Sequence, residues 1–220
     1  MKQIFVYILF FFIVSDISGQ NIELSCGLNR NNYFDTRSKD ERYISEITPG
    51  FGYSFGISIS ELKIDTFRFR ISARIDNYKC SLNTAGGGIG SGYKTKANVD
   101  KSFIGISIFP INFTVFKKLK FSIGGEFSYK IYDRTTGTRY SFGMGGDSTQ
   151  LIDNEIVKIN KNFIFGLCVN ISYIIKINDT WSIAPQYKFC VPLINEFINP
   201  EEKIMSLKHN FEIGIIRRIK

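Results

Sequence analysis

The stretch Phe121-Ser122-Ile123-Gly124-Gly125-Glu126-Phe127-Ser128-Tyr129-Lys130-Ile131-Tyr132 alternates residue by residue. Phe121, Ile123, Gly125, Phe127, Tyr129 and Ile131 fall on one side; Ser122, Gly124, Glu126, Ser128, Lys130 and Tyr132 fall on the other. Successive side chains of a strand point to opposite faces, so a period of two marks a strand whose faces meet different surroundings. The same period recurs on both sides of this stretch. It predicts strands at about 22–30, 47–60, 67–76, 103–116, 163–177, 181–193 and 205–219, making eight in all. Within 103–116 the phase breaks: Ile104, Ile106 and Ile108 share one parity, and Ile111, Phe113 and Val115 have the other. One extra residue at Phe109-Pro110 restores a single apolar face. Proline cannot donate to a ladder and is tolerated at bulges, so a β-bulge is expected there.

The connections between these strands are of two kinds. Those near 61–65, 117–119 and 178–180 are short, and those at about 31–46, 81–102, 133–161 and 196–204 are long and polar. Short and long alternate along the chain, as the turns and loops of an outer-membrane barrel do. The expected fold is all-β: an eight-stranded antiparallel up-and-down transmembrane β-barrel. Composition agrees. The 220 residues include 21 Phe, 11 Tyr and 1 Trp but only 3 Met and 1 His, a balance that favours strands over helices. Mean hydropathy is −0.03, too polar for a bundle of membrane helices. A single imidazole excludes any mechanism built on two histidines.

The longest apolar run, Ile4 to Val14, follows Lys2 and leads into Ser15, Ser18 and Gly19. It is too short to span a bilayer and fits the apolar segment of an export signal. The expected organisation is a signal peptide over 1–19 and a barrel domain over 20–220, with the mature protein in the bacterial outer membrane. Lys2 and Asp16 leave together, so the net charge stays at +8.

The polar face decides which way the barrel faces. It mixes Gly and Ser with opposite charges, Arg68, Arg70, Arg74, Lys130, Lys188 and Lys208 against Glu23, Asp76, Glu126 and Glu212. Eight strands enclose an interior just wide enough for side chains to fill it. A structural lumen network of Arg68, Arg70, Arg74, Glu126, Lys130, Lys188, Lys208 and Glu212 is therefore expected inside, each charge neutralised by a neighbour. The aromatic face is expected outside, with Tyr53, Tyr129, Tyr173 and Trp181 at the membrane interfaces.

The short turn at 178–180 carries a consequence for two cysteines. If Ile177 stands opposite Trp181, the same register sets Cys168 opposite Cys190, both on the lumen side. Directly opposed Cβ atoms lie about 4.5–5.5 Å apart, near disulfide range. Proximity is expected and a disulfide is admitted. The four cysteines, at 26, 80, 168 and 190, show no metal-ligand spacing. The Gly-rich runs 86–92 and 143–147 lack the pattern of a phosphate cradle and read as flexible external loops. His209 lies in His209-Asn210-Phe211 rather than a His-x-Ser arrangement, and its parity places it outward near the external end of its strand.

Four further stretches carry a resemblance: Cys-Gly-Leu-Asn (26–29), Thr-Pro-Gly-Phe-Gly-Tyr-Ser-Phe-Gly (48–56), Phe-Ile-Gly-Ile-Ser-Ile-Phe-Pro-Ile (103–111) and Asn-Phe-Ile-Phe-Gly-Leu (162–167). Over about 22–219 the chain resembles the outer-membrane β-barrel family that includes the PorT-like proteins. The resemblance implies an eight-stranded outer-membrane barrel and, for the PorT-like group, a part in protein secretion. The chain departs from outer-membrane barrels at its end, where Arg217-Arg218-Ile219-Lys220 lacks their common terminal aromatic residue.

The expected function is non-enzymatic: a structural or interaction component of the cell envelope, linked to secretion. The alternatives are a small-solute pore and a lipid A-modifying enzyme. No cofactor is expected. The expected partners are outer-membrane lipid or lipopolysaccharide and an envelope protein met through the external loops. Nucleic acid is not expected, because the basic residues are spread through strands and turns rather than gathered on one element.

Overall fold

The computed structural model describes residues 21–35, 43–64, 67–153, 162–194 and 204–219. The segment read as a signal peptide lies outside the described residues, as do Asp65-Thr66 and most of 196–204. Among the described residues eleven strands follow in chain order: β1 (Asn21–Asp35), β2 (Tyr43–Pro49), β3 (Phe51–Ile64), β4 (Phe67–Gly88), β5 (Ser91–Val115), β6 (Leu119–Gly143), β7 (Ser148–Asp153), β8 (Phe163–Tyr173), β9 (Ile175–Lys176), β10 (Trp181–Pro192) and β11 (Ile204–Arg218). Eight of them, β1-β3-β4-β5-β6-β8-β10-β11, pair antiparallel with their neighbours. The first and last close the ring, from Asn21 opposite Arg218 to Asp35 opposite Ile204. The molecule is an all-β, eight-stranded antiparallel barrel. Beyond the ring, β2 pairs with β4, β7 with β6 and β9 with β10.

The two faces separate as the alternation requires. Leu24, Leu28, Phe55, Ile57, Phe127, Phe165, Leu167, Phe211 and Ile213 are exposed on the outside. Ser54, Ser58, Ser72, Ser107, Ser122, Ser128 and Asn170 are buried inside. Three register shifts keep this separation intact. The β5–β6 pairing shifts between Ile108 and Ile111. Phe109 turns inward there, Pro110 and Ile111 both face out, and Pro110 stands in neither the β4 nor the β6 register, so the ladders lose nothing by the missing proline N–H. A second shift sets Ser102 opposite Tyr132 but Phe103 opposite Lys130. Ile131 and Tyr132 are then both exposed, whereas strict alternation places Tyr132 inside. The third lies between Ile59 and Leu62 of β3, where Glu61 takes a φ of 64°.

Where they are described, the long connections are mostly strand rather than loop. β4 runs 22 residues, and β5 and β6 run 25 each, well beyond the 9–11 that a tilted crossing needs. Residues 81–102, expected as a polar loop, form a paired hairpin from Cys80 opposite Val99 to Gly88 opposite Ser91. Gly90 turns it with a φ of 84°. Gly86, Gly87 and Gly92 therefore lie in paired strands rather than in a flexible loop. Much of 133–161 is likewise β6 and its partner β7. Together β2, β4, β5, β6 and β7 make a sheet that continues past the ring at the end opposite the short turns. Its outward face is polar along β4 and β5, with Lys79 opposite Asp100 and Ser81 opposite Asn98, while on β6 and β7 it also exposes Tyr140, Phe142 and Leu151. On β4 and β5 the apolar outer band thus stops near Ile75 and Ile104.

Candidate functional site

The interior is built from side chains that parity sends inward at successive levels. In the middle, Arg74 of β4 donates through Nε to Asp76 at 2.8 Å and also pairs with Glu212 of β11. Ser54 donates to Glu212 at 3.0 Å and Asn210 to Asp76 at 3.3 Å. Beside them Lys188 of β10 pairs with Glu126 of β6, which also accepts from Ser107 and Ser128, each at 2.9 Å. Nearer the short-turn end, Arg70 pairs with Glu23 at 3.1 Å. Gln186 ties this level to the middle, donating to Glu23 at 2.8 Å and to Glu212 at 3.2 Å. Arg70, Arg74, Glu126, Lys188, Lys208 and Glu212 are all buried. Each pair surrenders hydration, and the hydroxyl and amide hydrogen bonds around it offset part of that cost.

Two aromatic layers bracket these charges. Phe109, delivered inward by the bulge, packs with Cys168 and Cys190 and has Arg70 and Lys188 across its ring at 5.8 and 5.9 Å. Cys168 and Cys190 stand opposite each other on β8 and β10, and their sulfurs form a disulfide. Towards the other end, Tyr78, Phe103 and Ile164 cluster. Lys208 lies 5.1 Å from the Phe103 ring and 5.4 Å from Tyr78, with Lys101 5.7 Å from Phe103. The lumen is thus filled along its length by cation–aromatic layers and ion pairs.

Two of the eight expected network residues lie at its margins. Arg68 is outside it: its side chain is 61 % exposed and pairs with Glu61 at 3.1 Å at the short-turn mouth. Its parity matches that of Arg70, but it sits past the closed part of the ring. Lys130 is half-buried and pairs with Asp133 at 2.7 Å, next to the second register shift. Gln186, Asn210, Ser54 and Ser107 were legible by parity as inward residues but carry no charge to draw notice. Tyr78 and Lys101 fell in or beside a segment expected to be loop.

The short-turn mouth opens into a cavity of about 710 Å³, lined by Glu61, Arg70, Lys117, Lys118 and Lys120 among others. Lys120 pairs with Glu61 at 2.8 Å. In the turn beside it Lys176 donates to Asp179 at 2.7 Å and holds that carboxyl below the usual carboxylate range. A metal finds no ready site in the one cluster of suitable donors among the described residues. Glu126, Cys168 and Cys190 lie within 4.8 Å of one another, but the two sulfurs are joined and the carboxylate is occupied by Lys188, Ser107 and Ser128. His209 faces outward, hydrogen-bonded to Tyr187 at 2.6 Å and to Asn32 at 3.3 Å.

Several solved structures are similar to the chain at low identity. Neisserial surface protein A is similar at 12 % identity over 91 % of this chain and 97 % of its own, with a TM-score of 0.42. The attachment invasion locus protein Ail of Yersinia pestis is similar at 8 % identity over 91 % and 99 %, with a TM-score of 0.35. The outer membrane protease OmpT of Escherichia coli is similar at 8 % identity over 92 % and 97 %, with a TM-score of 0.36. No protein-family model matches the chain, and no curated protein matches it.

Proposed function

We propose that this protein is an integral barrel of the bacterial outer membrane, non-enzymatic, serving the envelope as a structural and interaction component. The observation that carries the reading is the inversion of its faces. A closed ring shows a band of exposed Phe, Ile, Leu and Tyr to the outside and buries Ser, Asn and ten charged side chains within. In water that band is far larger than a monomeric protein tolerates, whereas in a bilayer it is the ordinary surface. The sheet that extends past the ring, whose outward face mixes polar residues with exposed Tyr140, Phe142 and Leu151, is the part offered to a protein partner on the external side. The short turns then face the periplasm.

Within outer-membrane barrels, the resemblance of residues 26–29, 48–56, 103–111 and 162–167 to the PorT-like group favours a role in a secretion or envelope assembly. The filled lumen favours such a role over passage of solutes. The test is membrane fractionation combined with gel mobility before and after heating. Recovery in the outer membrane with a heat-dependent shift in mobility is expected. Recovery as a soluble periplasmic protein would overturn the reading.

A further inference from the structure

The register brings one outward row together at the edge of the apolar band farthest from the short turns. Phe51, Arg30, His209 and Phe189 stand side by side on β3, β1, β11 and β10. The next row towards the middle is Tyr53, Leu28, Phe211 and Tyr187, fully apolar apart from its hydroxyls. Directly opposed side chains in such rows are neighbours, about 4.5–5.5 Å apart at Cβ. Arg30 thus stands between Phe51 and His209, at the level where the outer surface of these strands turns from hydrocarbon-like to polar.

The cluster is ordered and has donors to spare. His209 Nε2 lies 3.3 Å from the Asn32 side-chain nitrogen, a donor, and in the tautomer that lets Nε2 accept from it the ring's own proton sits on Nδ1. Nδ1 then donates to the Tyr187 oxygen at 2.6 Å, leaving the Tyr187 hydroxyl hydrogen for a further acceptor. The His209 ring is braced by Phe189 at 5.2 Å, and Tyr187 by Phe211 at 4.9 Å. Arg30 lies 5.5 Å over the Phe51 ring and is exposed; no carboxylate among the described residues is within ion-pair distance of it. A guanidinium held at this level is placed where headgroup anions lie.

We infer that Arg30 and Tyr187, the latter oriented by His209 and Asn32, bind the phosphate of a membrane lipid headgroup on the external leaflet. Phosphate accepts two parallel N–H bonds from a guanidinium and one more from a hydroxyl, which is the donor set present. The inference rests on the reading of the chain as a membrane barrel. The test is native mass spectrometry of the full mature chain in nanodiscs of a phosphate-free glucolipid doped with one of three probes. These are diphosphoryl lipid A, phosphatidylglycerol or an uncharged galactolipid. Both phosphorylated probes are expected to be retained over the galactolipid. Stronger retention of lipid A assigns the site to the external glycolipid, and equal retention assigns it to headgroup phosphate in general. The double variant Arg30→Ala/Tyr187→Phe lowers that retention about tenfold, the effect of losing one charge-assisted contact. Tyr187→Phe alone lowers it less, and Arg217→Ala, at the opposite edge, leaves it unchanged. Equal retention of all three probes, or undiminished retention in the folded double variant, overturns the inference. A wild-type chain that fails to insert or to shift in heated gels overturns the membrane reading instead.

Discussion

Arg74 shows what a single residue does in this lumen. Its guanidinium serves Asp76 and Glu212 together, and all three side chains are about 95 % buried or more. Arg74→Met keeps much of the volume but leaves two carboxylates facing each other without a cation. Breaking a buried pair in this way costs about 3–5 kcal/mol. Urea unfolding of the refolded barrel should report a loss of that order, while Arg68→Met, at the exposed mouth, should change stability by less than about 1 kcal/mol. The contrast also marks how far residue-level reading reaches. Parity alone sends Arg70, Arg74, Glu126, Lys188, Lys208 and Glu212 inward, because the period of a strand is fixed by its backbone. It cannot say that Arg74 reaches Glu212 on a strand far away in sequence, because strand tilt and stagger set the depth at which side chains meet. Depth is also what separates Arg68 from Arg70.

At the scale of elements, the bulge at Phe109-Pro110 depends on its partner strand. A Cβ added to Gly124 would lie 1.9 Å from the Ile108 carbonyl oxygen and 2.7 Å from Phe109 Cα. The backbone of β5 thus occupies the space a side chain on β6 would fill. Gly124→Ala should force the two strands apart and lower the refolded yield, read as the fraction of heat-shifted band; Gly125→Ala, whose nearest neighbours are at 3.6 Å, should not.

The hairpin of β6 and β7 carries its own clasp, a hydrogen bond donated by the Tyr140 hydroxyl to Asp147. That bond holds the phenolic proton and raises the Tyr140 pKa above the usual value near 10. A group with a raised folded pKa lends its support below the unfolded value and loses it as pH climbs through the folded one. The clasp should therefore hold fully below about pH 10 and open as pH climbs past the raised folded value. Spectroscopic titration of the tyrosines should show one fewer high-pH transition in Asp147→Ala. The extended strands were the least legible elements, for a physical reason. In Lys94-Thr95-Lys96-Ala97-Asn98-Val99-Asp100 the inward residues are small and the outward ones polar. Where neither face meets lipid, alternation loses its contrast, and a paired strand reads as a polar loop.

For the whole molecule, the question is whether the ring is a passage or a pillar. Eight strands leave little interior to begin with. Here the axis is crossed by the Tyr78–Phe103 layer with Lys101 and Lys208, by the Arg74 and Lys188 ion pairs, and by Phe109 against the Cys168–Cys190 disulfide. An ion entering from the 710 Å³ mouth meets Arg70 and Glu23 already paired and must break successive contacts to advance. Planar bilayers containing the wild-type protein should show no sustained conductance steps. The obstruction is made of side chains, so shortening them should open it without unmaking the ring. Removing whole charge groups together avoids stranding a partner, so the variant Arg74→Ser/Asp76→Ser/Glu212→Ser/Phe109→Ala should give measurable steps while keeping its heat-dependent mobility. Steady conductance in the wild type would move the protein from an interaction component to a pore. A silent quadruple variant that still folds would place the barrier at the Tyr78–Phe103 layer, where Phe103→Ala is the next change to record.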